Sequence, residues 1–207
     1  MFISFEGTEG TGKSTQISYV FRELTALGYK VFKTHEPGGT FISEEIRKIL
    51  LDSSNTAMTP ITELLLYNAA RHQHIQEKII PALQDNIIVL TDRFSDSTIA
   101  YQGYGRGIGL DIIMAMDDIA TKGLRPDITF LLDINDPVIG LKRNSGIKKI
   151  DRFELEEIEF HKRVRQGFLK IAQMDTKRFI ILDGNLAQGE ISNQIITIIK
   201  DTINVSK

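Results

Sequence analysis

Short apolar runs, separated by longer stretches of mixed apolar and polar residues, organise this chain. The runs Phe2-Ile3-Ser4-Phe5, Val31 to Thr34, Ile87 to Thr91, Ile128 to Asp133 and Phe179 to Asp183 are rich in Ile, Val, Leu and Phe. Runs of that length and composition predict strands buried on both faces, as in a parallel sheet. The stretches between them predict helices: Thr15 to Leu27, a segment from Thr59-Pro60 towards Pro81, Leu110 to Lys122, Glu154 to Met174, and Ile191 to Ile203. Gly28 and Gly123 stand where C-terminal caps belong, and Thr59-Pro60 reads as an N-cap followed by proline in the first turn. Pro81 is expected to kink or end its helix. Strand and helix signals therefore alternate, which predicts an α/β fold with a parallel sheet and helices on both faces. In such sheets ligands gather at the carboxyl ends of the strands.

The first strand runs directly into Gly7-Thr8-Glu9-Gly10-Thr11-Gly12-Lys13-Ser14, the pattern G-x-x-x-x-G-K-S, and Thr15 continues into a helix. Glycines let the backbone wrap around an anion with successive N–H groups pointing inward, and the helix start adds partial positive charge at the same place. Lys13 supplies a mobile ammonium for β- and γ-phosphates, and Ser14 a hydroxyl for Mg²⁺. Strand, glycine-rich turn and helix start occur here in the order a nucleotide-phosphate cradle requires.

Composition narrows the classes. The 207 residues suffice for one α/β domain, expected to span 1–207. A net charge of −2 offers no basic surface for nucleic acid, and the absence of cysteine removes disulfides, thiol nucleophiles and Cys-based metal sites. No apolar run approaches a membrane span, and the N-terminal strand lacks the features of a leader, so a cytoplasmic protein is expected.

Four further clusters carry candidate chemistry. The strand Ile87–Thr91 ends in Asp92-Arg93, where an acid can orient a Mg²⁺-bound water and an Arg can clamp a phosphate. Glu36-Pro37-Gly38-Gly39-Thr40 forms a tight turn after the second strand. Tyr67 and Arg71 are four apart, one able to stack on a base and the other to donate to its carbonyl. Thr98 and Gln102 are again four apart and can read a base edge. The charged segment from Lys142-Arg143 to Asp151-Arg152, about 142–153, suits a short mobile lid over phosphates. The four histidines read as incidental; His72 and His74 are two apart and do not share a helix face. No Asp-x-x-Gly or Asn-Lys-x-Asp guanine motif accompanies the loop, which argues against a GTPase. A kinase for another nucleoside monophosphate or a deoxynucleoside remains open at this point, as does a P-loop switch protein.

Taken together, FEGTEGTGKST, EPGGT, DRFSDSTIAYQG, GLRPD and DRFE resemble the bacterial thymidylate kinases, and the resemblance spans nearly the whole chain. It implies a five-stranded parallel sheet of P-loop kinase type with a lid, and ATP-dependent phosphorylation of dTMP to dTDP for dTTP synthesis. It also implies Mg²⁺ as cofactor and a homodimer. Residue by residue, it implies that Gly7 to Thr15 hold ATP and that Glu9 contacts the acceptor sugar and metal region. Arg93 and Arg47 would hold the dTMP phosphate, Tyr67 would stack on thymine, and Arg71 would meet a base carbonyl. Ser97, Thr98 and Gln102 would line the base side, Tyr101 would crowd the sugar 2′ position, and Glu36 and Pro37 would shape the acceptor turn. Ser14 would ligate Mg²⁺, with Asp92 acting through water. The chain departs from many relatives in having Tyr67 for Phe, His35 where Arg precedes the Glu-Pro-Gly-Gly turn, and no Arg in the phosphate loop. Its transition-state cations are then sought in the lid, among Arg143, Lys148, Lys149 and Arg152.

Overall fold

A computed structural model of the protein describes residues 1–144 and 152–205. All five predicted strands form: β1 Phe2–Glu6, β2 Val31–His35, β3 Ile88–Asp92, β4 Ile128–Asp133 and β5 Phe179–Asp183. They make one parallel sheet in the order β2-β3-β1-β4-β5. Side chains alternate between its faces. Ile3 and Phe5 point to one face, against Ile17, Val20 and Leu24 of helix α1 (Lys13–Ala26) and Ile195 and Ile199 of helix α9 (Gln188–Val205). Phe2, Val89 and Phe94 pack on the other face against Ile75 and Ile79, and Leu131 packs there against Phe160, Val164 and Phe168 of helix α8 (Ile158–Met174). Helices on both faces of a parallel sheet make the three layers.

The remaining helices are α2 (Phe41–Leu51), α3 (Pro60–His74), α4 (Ile80–Gln84), α5 (Ser95–Thr98), α6 (Leu110–Thr121) and α7 (Pro137–Asn144). Gly28, at φ 88°, closes α1 as expected: its N–H reaches Thr25 O and that of Tyr29 reaches Leu24 O. Thr59 caps α3, its hydroxyl accepting from the N–H of Thr62.

The helices refine the expectations in three places. Ahead of Pro81 the regular α-helix is interrupted, as expected of a proline there: α3 stops at His74, a wider π-helical turn over Ile75–Ile79 follows, with the N–H of Ile80 bonded to Ile75 O, and α4 begins with Pro81 in its first turn. α8 starts at Ile158 and not at Glu154, because Phe153 leaves the helical path to bury its ring against Tyr101 and Phe160. Thr98 ends α5 and Gln102 lies in a second π-helical turn over Ile99–Gly105.

Candidate active site

β1 delivers the chain to the phosphate loop, and Lys13 opens α1 behind it. The Lys13 ammonium turns back onto the loop. Its Nζ donates to the carbonyls of Gly7 at 3.0 Å and Thr8 at 2.7 Å, with Thr11 Oγ1 at 3.4 Å. Burial, and after it Arg93, pushes the Lys13 pKa down to about 8, against the pull of Asp92, Glu9 and Glu6. Ser14 Oγ donates to Asp92 Oδ2 at 2.6 Å, bringing the end of β3 to the start of α1. The loop also touches α7 backbone to backbone. A Cβ on Gly10 would overlap the carbonyl oxygen of Gly140, and one on Gly140 would overlap that of Glu9.

Arg93, next after Asp92, holds a φ of 72°, a conformation L side chains rarely adopt. That backbone aims its guanidinium across the site. Nη1 donates to Gly7 O at 2.9 Å and Ser97 Oγ at 3.1 Å, and Nη2 to Tyr101 Oη at 3.1 Å, with Glu9 Oε1 at 3.4 Å. The Tyr101 hydroxyl donates to Glu9 Oε1 at 2.5 Å. Burial alone would raise the Glu9 pKa, but His161, Arg93, Lys13 and Tyr101 together hold it at about 2, so this carboxylate is ionised. Beneath them lies Glu6, fully buried, whose carboxyl oxygens accept from the N–H of Phe94 at 2.7 Å and from Ser97 Oγ at 2.6 Å. Burial, and then Asp96, raises its pKa to about 8.

On the far side, the Glu36–Pro37 bond is cis, and Glu36 and Arg71 pair with each other. Arg71 Nε donates to Glu36 Oε2 at 2.8 Å, Nη2 donates to Phe94 O at 3.2 Å, and Nη1 lies 3.5 Å from Asp117 without a hydrogen bond. Arg47 Nη1 donates to Pro37 O at 2.6 Å. The Tyr67 ring packs against Phe153 at 6.2 Å, and its burial raises the phenol pKa. Gln102 Nε2 donates to Glu63 Oε1 at 2.7 Å, while Thr98 Oγ1 is buried without a partner.

These groups share one cavity of about 1340 Å³. Glu9, Gly10, Thr11, Gly12, Lys13, Ser14 and Thr15 line one part. Glu36, Pro37, Arg47, Tyr67, Arg71, Asp92, Arg93, Ser97, Thr98, Tyr101 and Gln102 line the rest. Gly7 and Thr8 stand behind the wall, where they hold Lys13. The lid candidates divide. Arg143, at the end of α7, lines the cavity and donates to Gly184 O at 3.1 Å. Arg152 does not line it: its guanidinium is buried on Glu63 and on Leu50 O, over the Phe153 ring. Lys148 and Lys149 lie outside the described residues.

Beside the buried Glu6, and His74 on Glu36 at 3.1 Å, two further groups at the site carry no local sequence signal. Glu63, an acid in the first turn of α3, is the shared acceptor of Gln102, Arg106 and Arg152. His161, taken as incidental in the sequence, is fully buried in α8 with Nδ1 3.3 Å from Glu9 Oε2. Among the described residues no group of three or more His, Asp or Glu could hold a metal ion. The oxygen pair Ser14–Asp92 beside the phosphate loop does fit Mg²⁺, which takes one or two protein oxygens and completes its shell with phosphates and water.

The family model described as thymidylate kinase matches residues 5–195. The chain is 50% identical to the thymidylate kinase of Geotalea daltonii, covering 98% of both proteins. It is 53% identical to that of Geotalea uraniireducens, covering 89% of each. Among solved structures, the thymidylate kinase from Ehrlichia chaffeensis superposes with a TM-score of 0.79 at 33% identity, covering 96% of this chain and 98% of that one.

Proposed function

The chain belongs to the thymidylate kinase family, and on that premise we propose that it transfers the γ-phosphoryl group of ATP to dTMP, giving ADP and dTDP for dTTP synthesis. The observation that carries the reading is the single cavity that joins a phosphate loop to an Arg- and Tyr-lined pocket large enough for a second nucleotide.

In this reading Lys13 leaves the Gly7 and Thr8 carbonyls for the ATP phosphates, and the loop amides cradle the rest. Arg93 and Arg47 hold the dTMP phosphate, Tyr67 stacks on thymine, and Arg71, already fixed by Glu36, presents its remaining N–H groups to the base. Tyr101, tied to Glu9 and Arg93, closes the space beside the sugar 2′ carbon. A phosphate oxygen of dTMP bonds to the γ-phosphorus in line as the bond to the β–γ bridging oxygen breaks, and ADP leaves with that electron pair. The acceptor phosphate is ionised near pH 7, so positioning and charge stabilisation do most of the work. Ser14, and Asp92 through water, would hold Mg²⁺, which supplies neutralisation of the phosphate charge. Arg143 is the lid cation that lines the cavity, with Lys148 and Lys149 as further candidates; Arg152, held by Glu63, anchors the segment instead.

We further propose that residues 1–207 work as one domain with the lid at about 142–153, in the cytoplasm and as a homodimer. No described helix is long and apolar enough to cross a membrane. Ile61 and Leu65 of α3, and Ile112 and Ile119 of α6, are apolar and exposed on adjacent helices, which supports self-association.

The test is ADP release with MgATP and a panel of acceptors: dTMP, dUMP, dCMP, dGMP, AMP, UMP and thymidine. Turnover is expected with dTMP, weaker with dUMP and near background with the others. Preference for another monophosphate or for thymidine would overturn the base-site roles. ADP release indifferent to every acceptor would overturn the kinase reading.

A further inference from the structure

Glu9 is the only acid within the phosphate loop, and its two oxygens meet different partners. Oε1 meets Tyr101 and Arg93, which line the acceptor side. Oε2 is buried with no hydrogen bond and has His161 Nδ1 at 3.3 Å. His161 itself is wholly inaccessible, neither ring nitrogen has a hydrogen-bond partner, and it does not line the cavity. A buried carboxylate oxygen and a buried imidazole with nothing else to bond leave each other as the available partner. Hydrogen bonds in an empty active site are often long or misaligned and tighten when substrate binds.

We propose that His161 is a positioning residue: its Nδ1–H donates to Glu9 Oε2 from the far wall of α8, and so fixes the carboxylate with Oε1 presented to Arg93 and Tyr101. Every group facing Glu9 then has one task. Lys13 and Arg93 balance its charge, Tyr101 fills Oε1, and His161 sets its rotation. Without the imidazole donor the carboxylate is free to turn towards Arg93 and draw it off the acceptor phosphate. Loss of His161 therefore weakens dTMP more than ATP, because the loop amides and Lys13 do not depend on that rotation. The inference rests on the dTMP kinase reading for its substrate, though not for its geometry.

The experiment measures dTMP and ATP affinity by calorimetry, so that no turnover is required, for His161→Leu, His161→Asn and His161→Gln. Asn can place an N–H where Nδ1 stood, whereas Gln reaches the Nε2 position. Expected are about tenfold or greater loss of dTMP affinity in His161→Leu and His161→Gln, and His161→Asn within about threefold of wild type. ATP affinity should stay within about threefold throughout. In a Glu9→Ala background, His161→Leu should add less than about twofold, since the two side chains act as one unit. Equal losses of ATP and dTMP, Gln rescuing as well as Asn, or a Leu effect undiminished without Glu9 would each overturn the proposal. If His161→Leu does not fold, the Asn–Gln contrast decides. A wild type with no affinity for dTMP would defeat the function reading instead. The positioning claim is then read from ¹⁵N spectra of the imidazole: a protonated Nδ1 that shifts in Glu9→Ala supports it, and an unchanged spectrum overturns it.

Discussion

At the scale of the residue, charge buried beneath the site sets its pH response, and Glu6 and Glu9 act in opposite directions. Glu6 has a folded pKa of about 8 against an ordinary value of 4.5, raised by burial and then by Asp96. Its folded form holds a proton that the unfolded chain releases above pH 4.5. Its contribution to stability is therefore full below that pH and is lost as pH rises through 8. Glu9, at about 2, contributes stability that is present above 4.5 and lost only as pH falls through 2. Glu6→Gln should retain an acceptor for the N–H of Phe94 while removing the titration. Melting temperatures of wild type and Glu6→Gln, followed from pH 5 to 9, are expected to separate progressively in favour of the variant up to pH 8 and then run parallel. The separation should correspond to roughly a few kcal/mol. A constant offset, or a separation of the opposite sign, would show that Glu6 is not proton-bound in the fold. Neither carboxylate could be weighed in this way from the sequence. Lys13, Ser14, Asp92 and Arg93 were legible because short-range rules place them at a strand end and a helix start. The Glu36–Arg71 pair and the Glu9–His161 contact join residues 35 and 152 positions apart, and no local pattern encodes them.

At the scale of the element, strands were easier to read than helix ends. Five apolar runs became five strands within a residue or so; the central β1, β3 and β4 are buried on both faces, which leaves them little other composition, while the edge strands β2 and β5 are only partly buried. Helix ends answer to distant partners: Phe153, packed on Tyr101, delays the start of α8. The helix α2 follows the Glu36–Thr40 turn directly, with Thr40 as its N-cap, and its exposed Phe41, Ile42 and Ile49 lie apart from the core. The contact between the phosphate loop and α7 was hidden, and it has a consequence. Gly140 lets the carbonyl of Glu9 lie directly on α7, so Gly140→Ala must push apart two backbones, neither of which has a flexible side chain to yield. The variant is expected to lose about 1–3 kcal/mol of stability, read by denaturant titration. Because α7 also carries Arg143, it should lose kcat beyond what partial unfolding explains, by about tenfold at a temperature where it remains folded. A stable variant with unchanged kcat would mean that the loop tolerates displacement and that its register with α7 is not functional.

At the scale of the whole molecule, α3 joins the site to the surface. It turns Tyr67 and Arg71 towards the cavity and Ile61 and Leu65 outward, four residues apart on the opposite face. Beside it, α6 exposes Ile112 and Ile119, seven apart and so nearly in line, with Ile119 74% accessible. Scattered exposed hydrophobes are ordinary, but exposed apolar residues aligned along two helices that pack on each other support the proposed self-association. If two copies meet there, the chain of 23.3 kDa should sediment at twice its mass at micromolar concentration. Leu65→Glu with Ile119→Glu would then place four like charges in a two-fold interface, because both copies contribute the same patch. The dimer dissociation constant should then rise by about a hundredfold or more. Neither position lines the cavity, so the chemistry is spared directly. In the proposed reading the helix holding Tyr67 and Arg71 would lose its outer support, so KM for dTMP should rise several-fold while KM for ATP, which that reading assigns to the phosphate loop, moves little. A wild type that sediments as a monomer would remove the interface, and a monomeric double variant with unchanged dTMP kinetics would separate assembly from the acceptor site.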